Sequence, residues 1–166
     1  LGGGTLAQSG GTLNVGASGL TVGGLNQTAG TLAVTGALSL AIPVSLGGTL
    51  SSTGAMTLSG PVSLTSNATL STSNQAINLT GSINSDANPR SLTVNAGTGN
   101  VTVSGSMGNT SALAGLSITG GQITQSGNVV LDTDGIFSLS NSGTSTMSGQ
   151  LLGSGATLTK SGNGSL

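Results

Sequence analysis

Short runs in which aliphatic and polar residues alternate recur along the whole chain, each closed by Gly, Asn or Ser. Thr31-Leu32-Ala33-Val34-Thr35, Ser91-Leu92-Thr93-Val94-Asn95 and Ala156-Thr157-Leu158-Thr159-Lys160 are typical. In each, the aliphatic residues stand at i and i+2, so both point to one face of a strand. The other face carries mostly Thr, Ser and Asn, and Thr suits a strand because it is β-branched. The same parity runs through Leu38-Leu40-Ile42-Val44-Leu46, Ile77-Leu79-Gly81-Ile83, Val101-Val103 and Leu116-Ile118. Helical spacing explains none of these as well, and each Gly would cost a helix about 1 kcal/mol relative to Ala.

Strand centres from Leu6 to Leu158 recur about every 6–10 residues, the cadence of many short strands joined by tight turns. Two gaps are longer. One contains Asp86-Ala87-Asn88-Pro89-Arg90 and the other Met107-Gly108-Asn109-Thr110, so loop excursions are expected at residues 81–91 and 104–115. Pro43 falls inside the longest alternating run. A strand bonded on both sides needs every N–H, so a corner or bulge is expected there, splitting the run in two.

Sandwich, barrel and solenoid all offer this cadence. Composition now separates them. Aromatics are 1% of the chain, with Phe137 the lone example. A sandwich core about 10 Å thick ordinarily uses some large rings. A solenoid interior is narrow enough for Leu, Val, Ile, Ala and Gly to fill. The expected fold is therefore all-β: one right-handed parallel β-helix over residues 1–166. Roughly 20–30 residues per coil would give about 6–8 coils, and strands ~4.8 Å apart make a rod of about 30–40 Å. Parity places Phe137 with Leu139 in the core. Neither end shows a capping element, and the chain opens on Leu1 rather than Met. It is expected to be an uncapped piece of a rod continuing beyond both termini.

Hydrophobic residues are 34% of the chain and charged ones only 3%, whereas disordered chains pair low hydrophobicity with high charge. The charges are Asp86, Arg90, Asp132, Asp134 and Lys160, for a net charge of −1. Nucleic acid is not an expected partner, since that needs clustered Lys and Arg. Direct membrane insertion is not expected either, because no run approaches the roughly 20 apolar residues of a spanning helix.

Candidate chemistry is sparse. There is no His, Cys or Glu, so Ser has no activating base and zinc has no usual ligand set. The expectation is no catalytic residue, no cofactor and no enzyme. Asp132-Thr133-Asp134-Gly135 is the sole carboxylate cluster. On a regular strand Asp132 and Asp134 would share a face about 6–7 Å apart, within reach of an inverting glycosidase pair. They are also weak metal candidates, since Asp-x-Asp-Gly matches part of a calcium loop without its later Glu. A polar Asp-Gly turn ending a strand is the favoured reading. Asn-x-Ser/Thr occurs at Asn26, Asn67, Asn78, Asn100, Asn109 and Asn163 and would accept sugar in an exported protein.

The segment Asn88-Pro89-Arg90-Ser91-Leu92-Thr93-Val94-Asn95-Ala96-Gly97-Thr98-Gly99-Asn100-Val101-Thr102-Val103-Ser104-Gly105 resembles repeats of filamentous-haemagglutinin-like surface adhesins. Gly153 to Leu166 resembles autotransporter-associated strand repeats, and Gly11-Thr12-Leu13, Gly30-Thr31-Leu32 and Gly48-Thr49-Leu50 agree with it. The resemblance implies a secreted bacterial passenger at the cell surface, forming a stalk or fibre in adhesion or biofilm matrix. Expected partners are copies of itself, flanking repeats, or a host or matrix glycan or protein. The alternative is a carbohydrate-binding or carbohydrate-cleaving β-helix. A lesser one is an ice-binding solenoid, against which the outward runs vary: Thr93 stands beside Asn95, and Ser117 beside Thr119.

Overall fold

A computed structural model describes residues 3–16 and 20–166; Leu1-Gly2 and residues 17–19 lie outside the described residues. Among the described residues are eighteen strands and no helix. They wind as a parallel β-solenoid of about seven turns, the architecture expected from the alternating pattern. Every strand pairing is parallel, with strand order following chain order.

Each full coil lays down three faces. The first face includes Thr5–Gln8, Gly24–Gln27, Ile83–Ser85 and Leu151–Leu152. The second includes Thr12–Val15, Thr31–Val34, Arg90–Asn95, Leu113–Gly120 and Thr157–Ser161. Long strands such as Val44–Ser52, Val62–Thr72 and Val129–Asn141 run across both, which joins the two faces as one twelve-stranded sheet. The third face is a separate six-stranded sheet from Leu38–Leu40 through Met56–Leu58, Ile77–Leu79, Val101–Val103 and Ile123–Gln125 to Thr146–Met147.

The inward residues of successive coils stack in columns. Leu25, Val44, Val62, Ile83, Met107 and Val129 are in register on the first face. Leu32, Leu50, Leu70, Val94, Ile118 and Leu139 are in register on the second, all fully buried. Leu38, Met56, Ile77, Val101 and Ile123 line the third. Burying an aliphatic side chain of this size contributes about 1.5–3 kcal/mol. Phe137 sits in a neighbouring column between Leu116 and Leu158 and is fully buried, as parity required.

Coil length is uneven, as the first column shows. The shortest coil runs from Val44 to Val62 and the longest from Ile83 to Met107. The shortest falls below the roughly 20 residues taken from sequence as a lower bound, because its corners are as small as two glycines. Within residues 81–91, Ile83–Ser85 is a strand of the stack and the turn is confined to Asp86–Pro89. Within 104–115, Met107 is a buried rung bridging Ile83 and Val129.

The corner between the third and first faces is built on glycine. Gly60, Gly81, Gly105, Gly127 and Gly149 stack one above another, and a Cβ on each of the last four would strike the carbonyl oxygen of the glycine before it. At Gly60 it would strike Ile42. Two amides at each corner converge on one carbonyl of the preceding coil: Thr80 and Gly81 donate to Leu58 O at 3.0 and 3.2 Å, Ser104 and Gly105 to Leu79 O at 3.0 and 3.2 Å. Pro43 and Pro61 stand at this same corner, one residue before the first-face strand. Pro43 therefore divides Leu38–Leu40 from Val44–Ser52, the split its missing N–H demands.

Candidate functional site

The corner between the first and second faces is where the coils differ. Leu46 and Thr49 are separated only by Gly47 and Gly48, whereas the equivalent Ser85 and Thr93 are separated by residues 86–92. Further along, Asp132 to Gly135 stand opposite the single residue Ala114, because Leu113 pairs with Leu131 and Gly115 with Ile136. Asp86, Arg90, Asp132 and Asp134, four of the five charged residues, therefore lie along one edge of the rod.

Within this edge, Arg90 forks onto Asp86: Nε donates to Oδ1 and Nη2 to Oδ2, both at 2.9 Å. Asp86 Oδ1 also accepts the Asn88 N–H at 2.9 Å, closing an Asx turn. The Arg90 hydrogen bonds, then that of Asn88, hold the Asp86 carboxyl below the usual carboxylate range. Asp86 in return raises the Arg90 pKa. The pair is partly open to solvent, so it pins the loop more than it stabilises the fold.

Asp132 and Asp134 sit in a bulge of the strand Val129–Asn141 rather than on a regular stretch of it. Asp132, Thr133 and Asp134 are all exposed, and Asp134 has a left-handed φ of 57°. That conformation interrupts the regular strand geometry on which the expected carboxylate spacing depended. The Asp134 N–H donates to Ser154 O at 2.8 Å, and its Oδ1 lies against Gly155, where no Cβ intervenes. The strand does not end here but continues to Asn141, and Asp134 takes the left-handed conformation that Asn74, at φ 60°, takes on an earlier coil. Among the described residues, no three His, Cys, Asp or Glu side chains come together as a metal cluster.

Asparagines mark the coil boundaries. Ser91 N–H donates to Asn67 Oδ1 at 3.0 Å, Thr98 to Asn74 at 3.0 Å, Gln122 to Asn100 at 3.1 Å and Gln150 to Asn128 at 3.1 Å. Each bond reaches the next coil, so the side chain stands in for a missing rung of backbone pairing. Of the Asn-x-Ser/Thr positions, Asn26, Asn67, Asn100, Asn109 and Asn163 are exposed or lie at corners, and Asn78 is half-buried in the third face.

The outward faces carry ladders of hydroxyls. Thr12, Thr31, Thr49, Thr69, Thr93, Ser117, Ser138 and Thr159 form eight rungs in register down the second face. Beside them run Asn14, Ala33, Ser51, Ser71, Asn95, Thr119, Ser140 and Ser161. The first column is Thr for five successive coils while the second changes identity, so the face repeats along the axis but not across it. Comparing neighbours within a strand hides this order. Its signal was the Gly-Thr-Leu repeat at Gly11, Gly30 and Gly48.

A depression of about 310 Å³ opens at the far end of the second face, lined by Gly97, Thr98, Thr119, Gly120, Ser140, Asn141, Ser142, Gly162 and Asn163. Its lining offers hydroxyls, amides and backbone, and no ionisable side chain. Such an arrangement can hydrogen-bond a neutral polar ligand. Comparison with protein-family models, with curated proteins and with solved structures finds no match. The fold and surface define the class: a parallel β-solenoid of largely neutral, hydroxyl-lined faces with four of its five charges on one edge.

Proposed function

We propose that this chain is a shaft or fibre segment of a large secreted bacterial surface adhesin or extracellular filament, acting in adhesion or matrix assembly. The reading rests on the continuity of the stack. Eight Thr and Ser rungs follow one another without a break in order, so the fold works as a spacer whose length is set by its number of coils. The resemblance of residues 88–105 and 153–166 to adhesin repeats supports the same reading. Its partners would be flanking repeats or further copies, together with a host or matrix surface.

Excising whole coils tests it. Removing residues 60–126 takes out three coils between equivalent glycines and should shorten the particle by about 14 Å in electron micrographs, at ~4.8 Å per coil. The protein should remain folded and exported, with adhesion changing in step with length. A shortened variant of unchanged particle length sinks the proposal.

The neutral depression beside Thr119 and Ser140 favours one second reading, a carbohydrate-binding β-helix. It requires that Ser140→Val weaken retention of a neutral glycan. Unchanged behaviour across a glycan panel removes it.

A further inference from the structure

Every backbone ladder joins a coil only to the next one in the stack. The N–H···O=C bonds therefore run along the rod axis, while the strands run across it. Side-chain bonds between coils mostly keep the same short reach. Gln27 Nε2 donates to Thr49 O at 2.8 Å, and Asn67, Asn74, Asn100 and Asn128 each accept from the following coil. No disulfide can tie distant coils, because the chain has no cysteine. The one ion pair among the described residues, Asp86–Arg90, closes a loop inside a single coil.

This layout decides how the molecule answers a pull. Tension between the chain's ends falls first on the ladder of a terminal coil. There the bonds open a few at a time as the strand lifts away, unlike two strands sheared lengthwise, whose bonds must fail together. The coil behind keeps its own ladders and core column until its turn comes.

We infer that the solenoid is a yielding tether that releases chain coil by coil under axial tension. From the shortest coil, Val44 to Val62, to the longest, Ile83 to Met107, the drawn-out span is about 60–85 Å at ~3.3–3.6 Å per residue. While wound, a coil occupies ~4.8 Å of rod. Each released coil thus lengthens its share of the rod by roughly tenfold or more. The remaining stack presents a template for return: an open ladder, an aliphatic column and a glycine corner. Rewinding onto that template avoids starting a new nucleus.

The inference rests on the pairing pattern and not on the shaft reading, and the two fail separately. The test is single-molecule force spectroscopy on the full chain held by its termini. The expected trace is a series of events, each with a contour-length increment of one coil, recovered in similar steps on relaxation. A single rip releasing the whole chain overturns the inference while leaving the coil-excision result untouched. Leu79→Ala sharpens it, since Leu79 is fully buried between Leu58 and Val103. That variant should lower the force of the events that free its own coil and leave the others as they were. Equal weakening of every event would also overturn the inference, and the unaltered chain decides the matter if the variant does not fold.

Discussion

The same corner is solved in two ways at the two ends of this molecule. In the first coils it is a stack of left-handed glycines, Gly11, Gly30 and Gly48, with φ of 66°, 81° and 86°. A Cβ on Gly30 would strike Gly11 O, and one on Gly48 would strike Gly30 O, so these coils sit close and their turns are short. From Val62 onward the stack gives way to longer turns. Ala68 takes the place in register of Gly48, and the turn outside it grows to Thr65-Ser66-Asn67, then Asp86–Pro89, then Asp132–Gly135. Coils lengthen from the Val44–Val62 step to the Ile83–Met107 step while the aliphatic columns and Thr rungs hold their alignment. Extra residues are admitted at one corner because it faces outward past the ladders. They are excluded at the Gly60–Gly149 corner, where successive backbones touch.

That contrast can be broken most severely at the Gly60–Gly149 corner. Gly105→Val should cost about 3 kcal/mol or more, since the new side chain drives into Gly81 O and backbone cannot yield as a side chain can. The measurement is loss of the β-sheet circular dichroism signal or a fall in melting temperature. Inserting two residues after Asn109, at the permissive corner, should leave the melt nearly unchanged. An equal response at both sites would erase the distinction.

Core truncations rank next. Leu50→Ala in the short-coil region and Ile118→Ala in the long-coil region should each cost about 2–5 kcal/mol, because both residues are fully buried in the same column. Chemical denaturation of the two variants checks whether the column is equally tight at both ends. Asn67→Ala, which removes the acceptor for Ser91 N–H, should cost about 1 kcal/mol. Hydrogen exchange at Ser91 should accelerate, and exchange on the short-coil side should not.

The smallest effect belongs to the Asp86 loop. A carboxyl held below its usual range stabilises the fold above the pH where the unfolded chain titrates, ~4, and loses that contribution as pH falls through its folded value. A slight drop in melting temperature below about pH 4 is expected, and Asp86→Asn should remove it. A pH response of equal size in Asp86→Asn would show that this pair is not its source.

Much of this was legible in the chain. Parity located most of the strands and buried Phe137, and the missing N–H of Pro43 turned the chain where parity alone ran straight on. The parallel stack followed from narrow aliphatic runs without rings. What stayed hidden involved partners a full coil away at uneven spacing. Met107 reads as part of a loop because Ser104-Gly105 and Gly108-Asn109 flank it, yet its coil is simply the longest and it fills the core column. The surroundings of Asp132 and Asp134 depart from a regular strand because four residues there face one on the coil before, a bulge that turns on the left-handed Asp134. Buried Gln27 and Asn141 break the hydrophobic rule for a reason only the corners reveal. Gln27 donates to Gly30 O at 3.0 Å and to Thr49 O at 2.8 Å, and Asn141 donates to Ser165 O at 2.8 Å.

The neutral ladders carry a consequence for life in changing water. No ionisable side chain occurs before Asp86, so dissolved ions have little there to screen between neighbouring rods. Two such stretches laid side by side would feel little change in their mutual charge repulsion between fresh water and brine.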